Sequence, residues 1–216
     1  MWRGRDSVGG PRGGIGPRIG GLLLSLGGVL LLMGIVTAEA EYPSALDYTT
    51  RRDQISYLGA TPPPHVVIVQ PSAHIFDGVM MLSGAILVVA ALLLHASHRS
   101  KLWTTLLLIL GAGVAGVGIF PDNHHGVHQA TALVTFLIGG LTAASSAAVT
   151  RGPFRYFGLG LGLTSLTVFW VGPGALVGAL GPGGVERWVA YPILLWAIAY
   201  GGYVLGSNPS SSETVT

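Results

Sequence analysis

Histidines and acidic residues collect at a few positions of this chain, beside long apolar runs. His74 and Asp77 are three residues apart, and His124 and His128 are four residues apart in the segment that follows Pro121. On a helix, both spacings place the paired side chains on one face. Histidine nitrogens and carboxylate oxygens are zinc ligands, and three of them around an open position would activate a bound water molecule.

The chain has no cysteine, so any metal site must be built from histidines and carboxylates. The candidate zinc ligands are His74, Asp77 and His128, and Glu186 joins them as a candidate for acid or base catalysis. The alternative is structural. Ser72 is a candidate N-cap and Asp77 a favourable anion in the first turn of a helix, so these groups can simply end a helix and face water.

The composition predicts the kind of fold that holds these residues in place. Half of the 216 residues are hydrophobic and only 9% are charged, whereas about a quarter are charged in an ordinary soluble domain. About 20 apolar residues cross a bilayer as a helix. Six segments approach that length, which predicts an all-α, polytopic membrane helix bundle with spans at 19–38, 74–94, 102–120, 127–149, 157–176 and 188–205.

The distribution of Lys and Arg predicts a cytoplasmic N-terminus in the cell membrane. The three predicted regions are a basic cytoplasmic tail 1–18, a membrane domain 19–206 with an extracytoplasmic loop 39–73, and a polar tail 207–216. A competing interpretation is a cleaved secretory signal that ends near Ala38, which would leave five spans. The cations expected inside are Arg3, Arg5, Arg12, Arg18, Arg99, Lys101, Arg151 and Arg155, and those outside are Arg51, Arg52 and Arg187.

Most acidic residues fall on the predicted outer side. Ionisable groups at membrane depth are costly and tend to face a cavity or pair with one another, so the outer face is the candidate functional site. Arg51 and Arg52 would pair with Asp53, Asp77 or an anionic head group. From predicted depth alone, we expect Glu186, Arg187 and His128 to share one site.

Two glycine-rich segments interrupt the apolar runs. Gly172-Pro173-Gly174 lies inside the fifth predicted span and is expected to break or end that helix. The segment 111–116 matches G-x-G-x-x-G, but no acidic residue follows about 20 positions later to hold a ribose. The whole stretch has the length of a membrane helix, so its small residues predict close helix packing rather than dinucleotide binding.

Several short segments together carry a family resemblance. They are Tyr42-Pro43, the run Ile-Ser-Tyr-Leu-Gly at 55–59, Pro71-Ser72, the run Gly-Val-Gly-Ile-Phe-Pro at 116–121 followed by His128, and Glu186-Arg187 with Trp196. In order and spacing, the chain resembles the domain of unknown function 998 (DUF998) family over nearly all of its length after the basic tail.

The resemblance implies a six-helix integral membrane protein of bacteria or archaea, with a fold related to the Frag1/DRAM/Sfk1 type. It supplies no reaction. It implies that Ser56, Glu186 and Arg187 belong to one polar site on the outer face. The family pattern has a histidine after Phe-Pro, which corresponds to His128 or, with a shifted gap, to His125, and it therefore does not support His124 as a ligand.

The function expected from these observations is the binding or modification of lipid head groups at the outer face. A zinc-dependent membrane hydrolase, a transporter and a non-catalytic membrane component are the alternatives, so whether the chain is an enzyme stays open. The expected partners are membrane lipids, with neither nucleic acid nor a dinucleotide among them, and a protein partner stays open. Ser56, Arg51, Arg52 and Arg187 are the candidate residues for binding.

Overall fold

The computed structural model describes residues 15–97 and 100–207, so residues 1–14 of the basic tail, Arg99 and the tail 208–216 lie outside the described residues. Within that part the structure contains helices and no strand, and its six long helices are each long and apolar enough to span a membrane. The predicted all-α bundle of six spans is therefore confirmed. The helices are α1 (Ile15–Ala40), α2 (Ser72–Ser97), α3 (Lys101–Ile119), α4 (Gly126–Ser145), α5 (Phe154–Ala175) and α6 (Val177–Gly206).

The six helices form a closed ring. Each helix packs against its neighbours in the chain, and α6 closes the ring against α1. Because α4 also contacts α6 directly, α5 lies at the periphery, in the outer groove between them. We call the end of the bundle that carries residues 41–71 the loop face.

Small residues bring the helices into close contact. A Cβ on Gly111 of α3 would lie 2.8 Å from the backbone nitrogen of Val88 on α2, and one on Gly84 would meet the backbone of Ala115. Such contacts supply the van der Waals packing that holds helices together in lipid. The segment 111–116 is therefore helix, and its predicted packing role agrees with the structure.

The turn between α5 and α6 differs in detail from the expectation. Pro173 is accommodated in the last turn of α5, and the helix ends two residues later at Ala175. Helix α6 then begins at Val177, well before the predicted start at residue 188, and is kinked at Gly181, whose φ is 73°. Glu186 and Arg187 consequently lie inside this helix, one to two turns beyond the kink.

The loop between α1 and α2 folds back over the helix ends. The Arg51 guanidinium donates hydrogen bonds to the carbonyl oxygens of Ala179 and Gly178, at 2.7 and 3.1 Å. The backbone N–H of Gly183 donates to the carbonyl of Arg51 at 3.0 Å. A Cβ on Gly183 would overlap the carbonyl oxygen of Asp53, so only glycine allows the loop to approach this closely.

Candidate functional site

Glu186 lies beneath the loop, where it holds a short 3₁₀ helix, Ile55–Leu58, in place. Its carboxylate accepts hydrogen bonds from the backbone N–H groups of Ile55 and Ser56. Free N–H groups at the start of a helical turn are favourable partners for an anion. Glu186 therefore joins the loop to α6, while its own side chain stays only partly buried.

His128 faces the same region from the first turn of α4. The side chain is only 4% exposed, and its Nδ1 lies 2.8 Å from the carbonyl oxygen of Phe120. A carbonyl can only accept, so Nδ1 must carry the proton, and in the neutral ring Nε2 is an acceptor. Among the described residues, none forms a hydrogen bond with this Nε2.

A cleft of about 490 Å³ brings these two residues together. Such a volume is in the range of small-molecule sites, roughly 300–1,000 Å³. We call it the polar cleft. Its polar lining consists of Gln54, Ser56, Tyr57, Asp122, His125, His128, Gln129 and Glu186, and its apolar lining includes Pro62, Pro63, Ala132, Leu133, Phe136 and Phe169.

Two further cavities adjoin the polar cleft. An apolar cavity of about 70 Å³ lies inside the helix ring and shares part of its lining with the cleft, namely Ser56, His128, Ala132, Phe136 and Glu186. A second cavity, of about 220 Å³, extends along the apolar side chains of Phe169, Val177 and Val189. Glu186 lines all three spaces and so lies at their junction.

Asp122 contributes a second carboxylate to the polar cleft. It is 6% exposed and lies in the 3₁₀ turn Asp122–His124 that connects α3 with α4. Burial raises the pKa of this carboxyl above its ordinary value, while the neighbouring His128 and His125 act in the opposite direction. The neighbouring imidazoles therefore partly offset the effect of burial on this carboxyl.

Arg187 points away from the polar cleft and organises a different set of contacts, which we call the latch. Its guanidinium forms an ion pair of 2.5 Å with Glu39, at the end of α1, and both side chains are largely buried. It also donates to the Tyr48 hydroxyl at 2.7 Å and to the carbonyl oxygens of Thr50, Asp53 and Gly183 at 2.9 to 3.0 Å. These contacts tie α1 and the loop to α6.

Burial keeps the Tyr48 hydroxyl of the latch protonated. Burial raises the pKa of this phenol far above its ordinary value, although the Arg187 guanidinium opposes that shift. The hydroxyl therefore stays protonated, accepts from Arg187 and donates to the carbonyl oxygen of Gln54 at 3.2 Å.

The other two candidate binding residues, Arg51 and Arg52, do not line the polar cleft. Arg52 is exposed and forms ion pairs with Asp47 at 3.1 Å and with Asp53 at 2.9 Å. Arg51 lines a separate groove of about 610 Å³ between α5 and α6, together with Arg187. Of the predicted binding set, only Ser56 lines the polar cleft with Glu186 and His128.

The predicted zinc ligands do not converge. Within residues 15–97 and 100–207, no three histidine or acidic side chains lie close enough to hold a metal ion. His74 is exposed, and Asp77 packs against Gly59 with one buried oxygen that lacks a hydrogen-bond partner among the described residues. His124 is exposed and its ring contacts that of Phe120 edge-on. In this geometry His74, Asp77 and His128 do not form a ligand set for zinc.

The sequence profile of DUF998, described as a protein of unknown function, matches residues 25–203. The chain belongs to the DUF998 family. Comparison with curated proteins and with solved structures gives no significant match. The region that matches DUF998 contains both the polar cleft and the latch, from Glu39 on α1 to Arg187 on α6.

Sequence reasoning missed several residues of this DUF998 site. Gln54, Tyr57 and Asp122 line the polar cleft, and Glu39 and Tyr48 complete the latch. Asp122 and Glu39 could have been identified from the sequence, because each is a carboxylate beside the end of a predicted membrane span. The other three lie in a loop, whose folding over the bundle no local pattern specifies.

Proposed function

We propose that this DUF998 protein binds an amphipathic membrane molecule in the polar cleft, with its head beside Glu186 and His128. The observation that carries the proposal is that the polar cleft shares lining residues with two apolar cavities at the loop face of the bundle. Leu133 and Val177 line this space and are exposed on the surface of the bundle, so it opens toward lipid. A lipid-like molecule can enter there from the side.

The proposal includes a location in the cell membrane with the N-terminus in the cytoplasm. In support, the cations Arg18, Lys101, Arg151 and Arg155 of the described part lie at the end opposite the loop face, as the positive-inside rule requires. The head of the ligand would then lie in the outer leaflet. Kinship with the Frag1/DRAM/Sfk1 type and a prokaryotic origin stay predictions from the resemblance.

A binding role fits the structure better than zinc-dependent hydrolysis, because the polar cleft has acceptors without a metal-ligand set in the described residues. A transporter needs a path through the bundle. The inner cavity is narrow and is lined in its depth by Leu87, Leu110 and Leu194, which favours the holding of an apolar group over the passage of a polar one.

The test measures which amphipathic molecules stay with the protein after purification in mild detergent. Extraction and mass spectrometry would compare wild type with Ala132→Phe, which fills the junction of the cleft and the inner cavity. Ala130→Phe is the matched control, because Ala130 is exposed on the same helix. We expect one retained class of molecule in wild type and Ala130→Phe, and its loss in Ala132→Phe.

Equal retention in the three proteins would show that the retained molecules bind elsewhere on the surface, and would overturn the proposal. Measurement of the zinc content of wild type, His74→Ala and His128→Ala tests the alternative that the protein is a zinc-dependent hydrolase. Stoichiometric zinc that is lost in both His74→Ala and His128→Ala would favour that alternative instead.

A further inference from the structure

Within the proposed function, the lining of the polar cleft also indicates the chemistry of the head group. Its acidic members are Asp122 and Glu186, and none of the described residues that line it is Lys or Arg. The nearest cation along α6, Arg187, is turned to Glu39 and lines the other groove. An anionic head would therefore meet two carboxylates without a compensating charge.

The histidine adds an acceptor to these carboxylates. Because Nδ1 of His128 is bound to the Phe120 carbonyl, Nε2 carries the lone pair in the neutral ring. The ring is more than nine-tenths buried and lines both the cleft and the inner cavity, and none of the described residues bonds to Nε2. Nε2 therefore faces the space of the cleft, where it offers an acceptor to a donor group of the ligand.

The size of the polar cleft favours an organic head group over a metal ion as its ligand. The carboxylates and the histidine line one space of about 490 Å³, yet no three such side chains in the described ranges are close enough for a metal ion. Acceptors spread around a space of this size suit a larger group with several donors. A protonated amine on an apolar chain has both the charge and the donors.

We infer that the polar cleft binds an amphipathic molecule with a cationic amine head. The ammonium donates to Glu186 and to Nε2 of His128, with Asp122 adding negative charge. The apolar chain lies along Phe136, Phe169 and Val177 toward the surface of the bundle. This inference rests on the proposed function and specifies its ligand class.

The test is equilibrium binding of radiolabelled dodecylamine to the detergent-purified protein, in competition with unlabelled dodecylamine, dodecanol or dodecyl phosphate. We expect the amine to compete at least about 10-fold better than the neutral and anionic probes, since the loss of a desolvated charge partner costs that much or more. Glu186→Gln should weaken amine binding by at least about 10-fold, because the amide keeps an acceptor for the Ile55 N–H but loses the charge.

Asp47→Asn is the matched control, because it neutralises an exposed carboxylate on the same loop face outside the cleft. It should bind the amine as wild type does. Resistance of the loop to trypsin, measured in each variant, shows that the fold is retained.

The outcomes separate the inference from the proposed function. If the three probes compete equally and Ala132→Phe abolishes binding of all of them, the cleft binds amphipathic molecules and the preference for an amine is wrong. Unchanged amine binding in Glu186→Gln would also overturn the inference. If no probe binds wild type specifically, both the inference and the proposed function fail.

Discussion

Replacement of Arg187 by methionine should strongly destabilise the loop face. The guanidinium forms an ion pair with Glu39 and hydrogen bonds with the Tyr48 hydroxyl and three backbone carbonyls. The side chains of the pair are only 9% and 17% exposed. Methionine therefore leaves a largely buried carboxylate without its partner, a change that costs about 3–5 kcal/mol in comparable buried pairs.

In a chain of this size, 1 kcal/mol shifts the midpoint of thermal unfolding by about 2–4 °C. We therefore expect Arg187→Met to lower the midpoint by roughly 6–20 °C in detergent. The assay follows thermal unfolding together with trypsin cleavage after Arg51 and Arg52, which are exposed on the loop. Cleavage should accelerate in the variant, because the loop loses its contacts with α6.

Two further variants make this prediction specific. Arg155→Met makes the same change at an exposed residue of α5, near the opposite end of the bundle, and should leave both measurements unchanged. The double variant Arg187→Met/Glu39→Met removes the unpaired charge and should recover part of the lost stability. A midpoint of Arg187→Met within 2 °C of wild type, or a double variant no more stable than the single one, would refute the reasoning.

Three further predictions concern packing and pH. Gly183→Ala should accelerate trypsin cleavage of the loop, because its Cβ would overlap the loop backbone, whereas Gly178→Ala has open space and should not. Gly84→Ala should destabilise the fold by about 1–3 kcal/mol through overpacking and so lower the unfolding midpoint. Gly78→Ala on the same helix has open space and is the neutral control. Because burial raises the pKa of Asp122, the unfolded chain ionises first and wild type loses stability as pH rises. The midpoint of Asp122→Asn relative to wild type should therefore increase from about pH 4 to pH 7.

The six helices could be predicted from the sequence because the length of an apolar run directly reports a membrane span. The start of α6 could not. Its first turns contain Gly181, Pro182, Gly183 and Gly184, which indicate a break, and the backbone does kink at Gly181. The short helical segment before the kink docks on the loop through the Arg51 guanidinium. Tertiary contacts of this kind leave no periodic pattern in the chain.

The candidate site was predicted in part for a related reason. Glu186 and His128 do line one cleft, as their common predicted depth suggested. Arg187 does not, since successive side chains on a helix point about 100° apart. The predicted depth of a residue does not tell in which direction its side chain points. That direction decides that Glu186 faces the cleft while Arg187 contacts α1 and the loop.

The latch also has a consequence for biogenesis. Glu39 and Arg187 are 148 residues apart in the chain, so α6 is synthesised well after α1. Until α6 arrives, the loop has neither the Arg187 guanidinium nor the Glu186 carboxylate to dock on. Closure of the loop face therefore requires α6, and a docked loop marks a chain whose insertion is complete through α6.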